Sequence, residues 1–113
     1  MPVQKEINQI MEIIIAEIKG LFKDKLKSVI LYGSYANGGY DDESDIDVMA
    51  LVDMSDAELK QYADIIVDFE VSLNLEYDVV LSIITKDCNE FERWRPVLPF
   101  YQNVIDKGVI ISG

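Results

Sequence analysis

Residues 28–52 read SVILYGSYANGGYDDESDIDVMALV, and the two ends of this stretch decide the fold. The apolar run 28–32, which stops at Gly33, predicts a short buried strand. Residues 45–52 predict a second strand. Because their far half is apolar on both faces, this strand should lie inside a sheet. Residues 34–44 are rich in glycine, asparagine and aspartate, so they predict a loop that joins the two strands.

The sequence on either side of this stretch predicts helices. Apolar residues recur every three or four positions from 3 to 18, which predicts an amphipathic helix that ends near Gly20. The same spacing from 59 to 73 predicts a second helix, with Ser55 or Asp56 as its N-cap.

The remaining residues complete a small sheet. Residues 77–84 predict a third strand, and residues 109–111 predict a short strand at an edge. Between them the helical pattern is broken at Pro96 and Pro99, which cannot continue a helix. This order of elements predicts a single α/β (α+β) domain over residues 1–113, with a small mixed β-sheet flanked by helices.

Composition excludes several classes of function. The 113 residues contain one cysteine, Cys88, and no histidine, which excludes Ser-His-Asp and Cys-His catalysis and ordinary zinc sites. No apolar run reaches membrane-spanning length, so we expect a soluble, cytoplasmic protein without a membrane partner. The net charge of −11 argues against binding to extended nucleic acid. It fits either a surface that only keeps the protein soluble or a cation-binding site together with a basic protein partner.

Three pieces of the sequence carry candidate chemistry: Gly33-Ser34 after the first strand, Asp45 and Asp47 on the second, and Asp78 near the start of the third. Strand residues two apart share a face, so Asp45 and Asp47 should point together. If the first two strands are antiparallel and the next two parallel, the three pieces meet at one sheet edge. Such carboxylates can bind two Mg²⁺ ions, and a glycine and serine at a strand end can approach a phosphate.

Each piece taken alone has a more ordinary interpretation. A Gly-Ser pair after a strand is usually only a turn, and an Asp-x-Asp within an acidic run is usually a solvated loop. A single aspartate such as Asp78 usually faces water at a sheet edge. Only the three together indicate a catalytic site.

Residues 33–38 (GSYANG) and 44–48 (SDIDV), followed by Asp78, resemble the Gly-Ser…Asp-x-Asp motif of the DNA polymerase β-like nucleotidyltransferase superfamily. The resemblance covers nearly the whole chain and is closest to the minimal nucleotidyltransferases. It implies that Asp45 and Asp47 bind two Mg²⁺ ions, with Mn²⁺ as a substitute. It further implies that Asp78 binds the catalytic metal and helps to deprotonate the acceptor, and that Gly33 and Ser34 hold the triphosphate of ATP.

Small members of this superfamily resemble antitoxins paired with HEPN-type ribonucleases, and some attach AMP to the partner. The resemblance therefore implies transfer of AMP from ATP to a hydroxyl of a basic partner protein. Many relatives carry an arginine shortly after the serine, where this chain has Ala36 and Asn37, and this departure leaves room for weak or lost activity. Lys86 is then a candidate base for the triphosphate. Two rival functions stay open: a non-catalytic module that masks a partner, and an aminoglycoside-type small-molecule transferase completed by dimerisation, for which the chain would form a homo-oligomer.

Overall fold

The computed structural model describes residues 4–32 and 45–112. Within these ranges the chain alternates between helices and strands, with short 3-10 turns at Lys23–Lys25 and Lys60–Tyr62. The elements are α1 (Gln4–Phe22), β1 (Leu26–Tyr32), β2 (Asp45–Val52), α2 (Asp56–Leu59), α3 (Ala63–Tyr77), β3 (Val80–Asp87), α4 (Cys88–Trp94), α5 (Pro99–Lys107) and β4 (Val109–Ser112). The predicted loop of residues 34–44 lies outside the described residues.

The strands form one mixed sheet in the order β3-β2-β1-β4. β1 pairs antiparallel with β2, and β2 pairs parallel with β3, which is the arrangement under which the three motifs were expected to meet. The short strand β4 lies at one edge and pairs antiparallel with β1, which confirms the predicted edge strand. The start of β2, the start of β3 and the end of β1 therefore lie at the same end of the sheet.

Helices cover both faces of the sheet. On one face, α1 and α3 pack against a large apolar cluster that includes Ile14, Ile66 and the β2 residues Ile46 and Val48. On the other face a smaller cluster joins Phe91 of α4 and Val104 of α5 to residues of β1 and β2. Together these layers confirm the predicted mixed sheet flanked by helices.

Tertiary packing decides where α1 ends, whereas a local capping signal decides where α2 begins. The first helix ends close to the predicted stop at Gly20: α1 continues two residues farther, to Phe22, whose ring is 2% exposed in the core. Burial of this ring stabilises the two extra residues more than the flexibility of glycine opposes them. Ser55, in contrast, is the predicted N-cap: it accepts a hydrogen bond from the backbone N–H of Glu58, which reciprocates in a capping box.

The predicted second helix is divided into α2 and α3 by the turn Lys60–Tyr62, where the ring of Tyr62 packs 4.8 Å from that of Phe22. The broken tail is confirmed, because α4 and α5 are separate helices and Pro99 begins the second. Among the described residues, none of the helices is both long and apolar enough to cross a membrane.

Candidate active site

The start of β2 carries two of the predicted ligands. Asp45 is the first residue of the strand and Asp47 the third. Ile46 and Val48 are fully buried towards α1 and α3, so the alternation of a strand directs Asp47 to the opposite face, where it is partly exposed. The prediction that Asp45 shares this face concerns a side chain outside the described part of the structure.

The described helices cover the Asp47 face of the sheet over its far half. Met49 and Leu51, farther along β2, are buried with Phe91 and Val104. Near the start of β2 the covering ends, and Val80, the β3 neighbour of residue 45, is 55% exposed. Among the described residues, α4 and α5 therefore leave the Asp47 end of this face uncovered.

Tyr32 is a site residue that the sequence reasoning missed. It is the last residue of β1 and the cross-strand partner of Asp47. Burial, and then the negative charge of Asp47, raise the pKa of Tyr32 from its ordinary 10.0 to about 12. The phenol stays protonated well above neutral pH, so it can donate a hydrogen bond to a carboxylate or phosphate oxygen. The predicted antiparallel pairing contained the signal, since it sets residue 32 opposite the start of β2.

Phe100 extends this aromatic surface. Its ring meets that of Tyr32 edge to face, with centroids 5.9 Å apart and an interplanar angle of 80°. Phe100 lies near the start of α5 and is 47% exposed, so half of its surface is available to a ligand or partner. No sequence pattern identified Phe100, because its contact with Tyr32 depends on how α5 crosses the sheet.

The prediction that Asp78 lies within the third strand is wrong. α3 continues to Tyr77, and Asp78 is its exposed C-cap, in the left-handed conformation with φ 53° and ψ 48°. Asp78 nevertheless lies two residues before Val80, which neighbours Asp45, so the backbone brings Asp78 to the same end of the sheet.

The proposal of Lys86 as a base for the triphosphate is contradicted by the direction of β3. Lys86 follows Val80 by six residues, about 20 Å along a strand, so it lies at the far end of the sheet. There its ammonium group pairs with Asp56 at 3.2 Å. Burial alone would lower the pKa of Lys86, but the hydrogen bond and negative charge of Asp56, with a contribution from the nearby Tyr101 phenol, outweigh it and raise the pKa.

The remaining predicted residues, Gly33 and Ser34, lie outside the described residues, directly after Tyr32. Among the described side chains, no group of three or more aspartates, glutamates, cysteines or histidines is arranged to hold a metal ion. The predicted set of Asp45, Asp47 and Asp78 includes one side chain beyond that description. The structure thus places Asp47, Asp78 and Tyr32 at one end of the sheet.

Comparison with known proteins identifies two relatives that share much of this sequence. A relative from Methanocaldococcus jannaschii, named "Putative protein adenylyltransferase MJ0604", is 31% identical over 97 residues, which cover 83% of this chain and 86% of the relative. A second protein of that name from the same organism, MJ0141, is 42% identical over 80 residues, covering 70% of this chain and 78% of the relative.

Two solved structures share the fold. One is described as a toxin-antitoxin with AMP-PNP; it has a TM-score of 0.57 and 20% identity, and the match covers 88% of this chain and 70% of that one. The other is a mutant of the toxin-antitoxin MntA-HpeT, with a TM-score of 0.55, 17% identity, and coverage of 90% and 72%. The family described as nucleotidyltransferase domain matches residues 11–111. The chain therefore belongs to this nucleotidyltransferase family.

Proposed function

We propose that this nucleotidyltransferase is magnesium-dependent and transfers AMP from ATP to a hydroxyl of a partner protein. The observation that carries the proposal is the position of Asp47 on the open end of a sheet face. A polar phenol, Tyr32, lies beside it, and Asp78 stands at the same end. The names of the two relatives from Methanocaldococcus jannaschii support AMP as the transferred group and a protein as the acceptor.

The donor set at this end of the sheet fits a hard divalent cation. Asp47 and Asp78 offer carboxylate oxygens as ligands, and neither residue belongs to the apolar core. With Asp45 they would hold two Mg²⁺ ions, or Mn²⁺ in their place. When bound, the ions supply charge neutralisation for the triphosphate and for the departing pyrophosphate.

The reaction is a substitution at phosphorus. The acceptor hydroxyl oxygen forms a bond to the α-phosphorus of ATP, and the bond from that phosphorus to the oxygen bridging to the β-phosphorus breaks. Pyrophosphate leaves with the bonding electron pair. We assign removal of the hydroxyl proton to Asp78, whose exposed carboxylate can accept it, and binding of the triphosphate to Gly33 and Ser34. Tyr32 is placed to hold the carboxylate of Asp47 in orientation.

We propose a basic protein of the HEPN ribonuclease type as the partner, met in the cytoplasm, and an antitoxin role for this chain. The net charge of −11 supports a cationic partner, and the toxin-antitoxin descriptions of both structural neighbours support an antitoxin role. Opposite charge on the partner accelerates encounter and fixes orientation.

Position-specific labelling of ATP tests the proposal. The purified chain is incubated with Mg²⁺, host lysate, an aminoglycoside mixture, and ATP labelled on either the α- or the γ-phosphate. We expect α-label, and no γ-label, in material that protease releases. Label from the γ-phosphate would indicate phosphoryl transfer and would contradict the proposed chemistry.

The same experiment separates the two rival functions. Label on an aminoglycoside would show a small-molecule transferase. Absence of label on every acceptor, together with a stable complex that salt weakens, would show a module that masks its partner without catalysis.

A further inference from the structure

The outer surface of α3 carries an apolar stripe made of Val67, Val71 and Leu75. These side chains are 52%, 49% and 82% exposed, although the helix has a separate buried side that contains Ile66 and Leu73. Spacing of four residues sets the three on one side of the helix over about 12 Å. Single exposed apolar side chains are common on protein surfaces, but three that are aligned on one side of a helix form a continuous apolar patch.

Acidic residues border the stripe. Asp64 and Asp68 precede Val67 and Val71 by three residues, so helical geometry makes them neighbours. The segment 55–78 carries seven acidic residues against one lysine: Asp56, Glu58, Asp64, Asp68, Glu70, Glu76 and Asp78 against Lys60. All of these except Glu70 are exposed. The stripe is therefore bordered by the exposed carboxylates of Asp64 and Asp68, and it ends near that of Asp78.

The neighbouring sheet edge is closed to strand addition. β3 is an edge strand, but the backbone N–H of Leu81 donates to the side-chain oxygen of Asn74 at 2.8 Å. The N–H of Ile83 donates to the carboxylate of Glu70, also at 2.8 Å. Because α3 already satisfies these donors, an incoming strand cannot pair with them. Binding here through side chains is therefore favoured over addition of a strand.

The stripe connects a groove with the candidate active site. Near the start of α3, a groove of about 410 Å³ lies between Leu59, Ile66, Val67 and Ile83. At the other end of α3, Leu75 is three residues from Asp78, the C-cap at the candidate site. A segment bound along the stripe would thus extend to the catalytic end of the sheet.

We propose that the Val67–Val71–Leu75 stripe binds a cationic amphipathic helix of the partner protein. An apolar face would cover the stripe and flanking lysines or arginines would meet its acidic border, the helix-in-groove mode of recognition. A second copy of this chain is a poor occupant, because two surfaces of the same strong negative charge repel. The idea that this bound helix brings the acceptor hydroxyl to the active site rests on the proposed function. Binding of the helix to the stripe does not require catalysis.

A designed peptide tests the surface. The probe is a synthetic helix of leucine and lysine with leucines spaced by three and four; one control has the same composition in shuffled order, and another has glutamate for lysine. Val71→Asp is compared with Ile65→Asp, because Ile65 is equally exposed, at 47%, but lies about 120° away around the helix. Leu75→Asp is a second variant on the stripe, and thermal melts verify that each variant folds.

We expect the leucine-lysine helix to bind the wild type more tightly than either control peptide and to bind more weakly as salt rises. Val71→Asp and Leu75→Asp should weaken binding about tenfold or more, as burial of one apolar side chain predicts. Ile65→Asp should bind as the wild type does. Equal binding of the shuffled peptide, or equal weakening by Ile65→Asp, would reduce the surface to a general electrostatic attraction and overturn the proposal.

Two further measurements separate this proposal from a self-association surface and from the proposed activity. Sedimentation that shows a wild-type dimer, dissolved by Val71→Asp, would mean that a second copy occupies the stripe and would also overturn the proposal. Asp47→Asn should leave peptide binding unchanged. If the predicted binding pattern holds while the wild type transfers no AMP, the proposed activity fails and the surface stands.

Discussion

Replacing Asp78 by glycine should make the protein more stable and abolish transfer. Asp78 has φ 53°, in the left-handed region where a Cβ atom is strained. Glycine adopts this conformation freely, so the substitution removes the strain. It also removes the carboxylate to which we assign proton removal and metal binding. Opposite effects on stability and activity are typical of a residue that serves a site at the expense of the fold.

The magnitude follows from two opposing contributions. Relief of left-handed strain is worth about 1–2 kcal/mol. The greater conformational freedom of glycine in the unfolded chain offsets about 0.5–1 kcal/mol of this. The net gain then lies between about 0 and about 1.5 kcal/mol. With an unfolding entropy of about 2.1 cal/mol/K per residue over 113 residues, the melting temperature should rise by up to about 6 °C.

Two matched variants complete the experiment. Lys23 is the other non-glycine residue with positive φ, 52°, among the described residues, and it lies before β1, at the far end of the sheet. Lys23→Gly should raise the melting temperature by a similar amount and keep full transfer. Asp78→Ala keeps the strained Cβ, so it should lose transfer without the gain in stability.

Calorimetric melts in metal-free buffer and transfer of α-labelled phosphate from ATP provide the two measurements. Transfer at the wild-type rate by Asp78→Gly would exclude Asp78 from the catalytic machinery. A melting temperature equal to that of Asp78→Ala would show that backbone strain at residue 78 does not limit stability.

Three further substitutions test other parts of the structure. Lys86→Met should lower the free energy of unfolding by at most about 1 kcal/mol, as loss of a partly exposed ion pair predicts, and should leave transfer intact; loss of ATP binding would contradict the placement of Lys86 at the far end of the sheet. Because the folded pKa of Tyr32 is raised from 10.0 to about 12, the unfolded chain loses this proton first, and the free energy of unfolding should fall from about pH 10 to about pH 12 without metal. Thermal melts of Tyr32→Phe should show a smaller loss of stability than wild type over this pH range. A loss equal to that of wild type would refute the burial of the phenol. Ser55→Ala removes the capping box and should cost about 1 kcal/mol by denaturant titration, whereas a neutral result would mean that water replaces the cap.

The sheet could be predicted because its strands are marked by several independent signals. The apolar run 28–32 stops at a glycine, and residues 45–52 change from alternating to fully apolar. The need to bring Gly33-Ser34 near Asp45 then favoured the antiparallel pairing that the structure shows. The parallel pairing of β2 with β3 was favoured because the helical segment between them is long enough for a crossover connection, and the structure confirms it.

The position of Asp78 could not be predicted because the sequence of α3 fits both the helical period of about 3.6 residues and the two-residue period of a strand. Val71, Leu73, Leu75, Tyr77 and Val79 alternate with polar residues, as in a half-buried strand, although the first four belong to the helix. The sequence period therefore does not locate the end of α3, and the left-handed cap was not recognised.

The wrong assignment of Lys86 to the triphosphate and the omission of Phe100 have different causes. Parallel pairing already implied that the end of β3 lies far from Asp45, so the distance of Lys86 from the site could have been foreseen. The contact between Phe100 and Tyr32 depends on the angle at which α5 packs on the sheet, and no local pattern records such an angle.

Transfer by Asp47→Asn, compared with Asp53→Asn, tests the central claim most directly. Asp53 directly follows the far end of β2 and is exposed, so this control makes the same change of charge away from the site. With Mg²⁺ and α-labelled ATP, wild type and Asp53→Asn should label a protein acceptor at similar rates. Asp47→Asn should fold normally and lose at least about a hundredfold in rate, as removal of a group that stabilises the transition state predicts. Undiminished labelling by a folded Asp47→Asn variant would contradict the account.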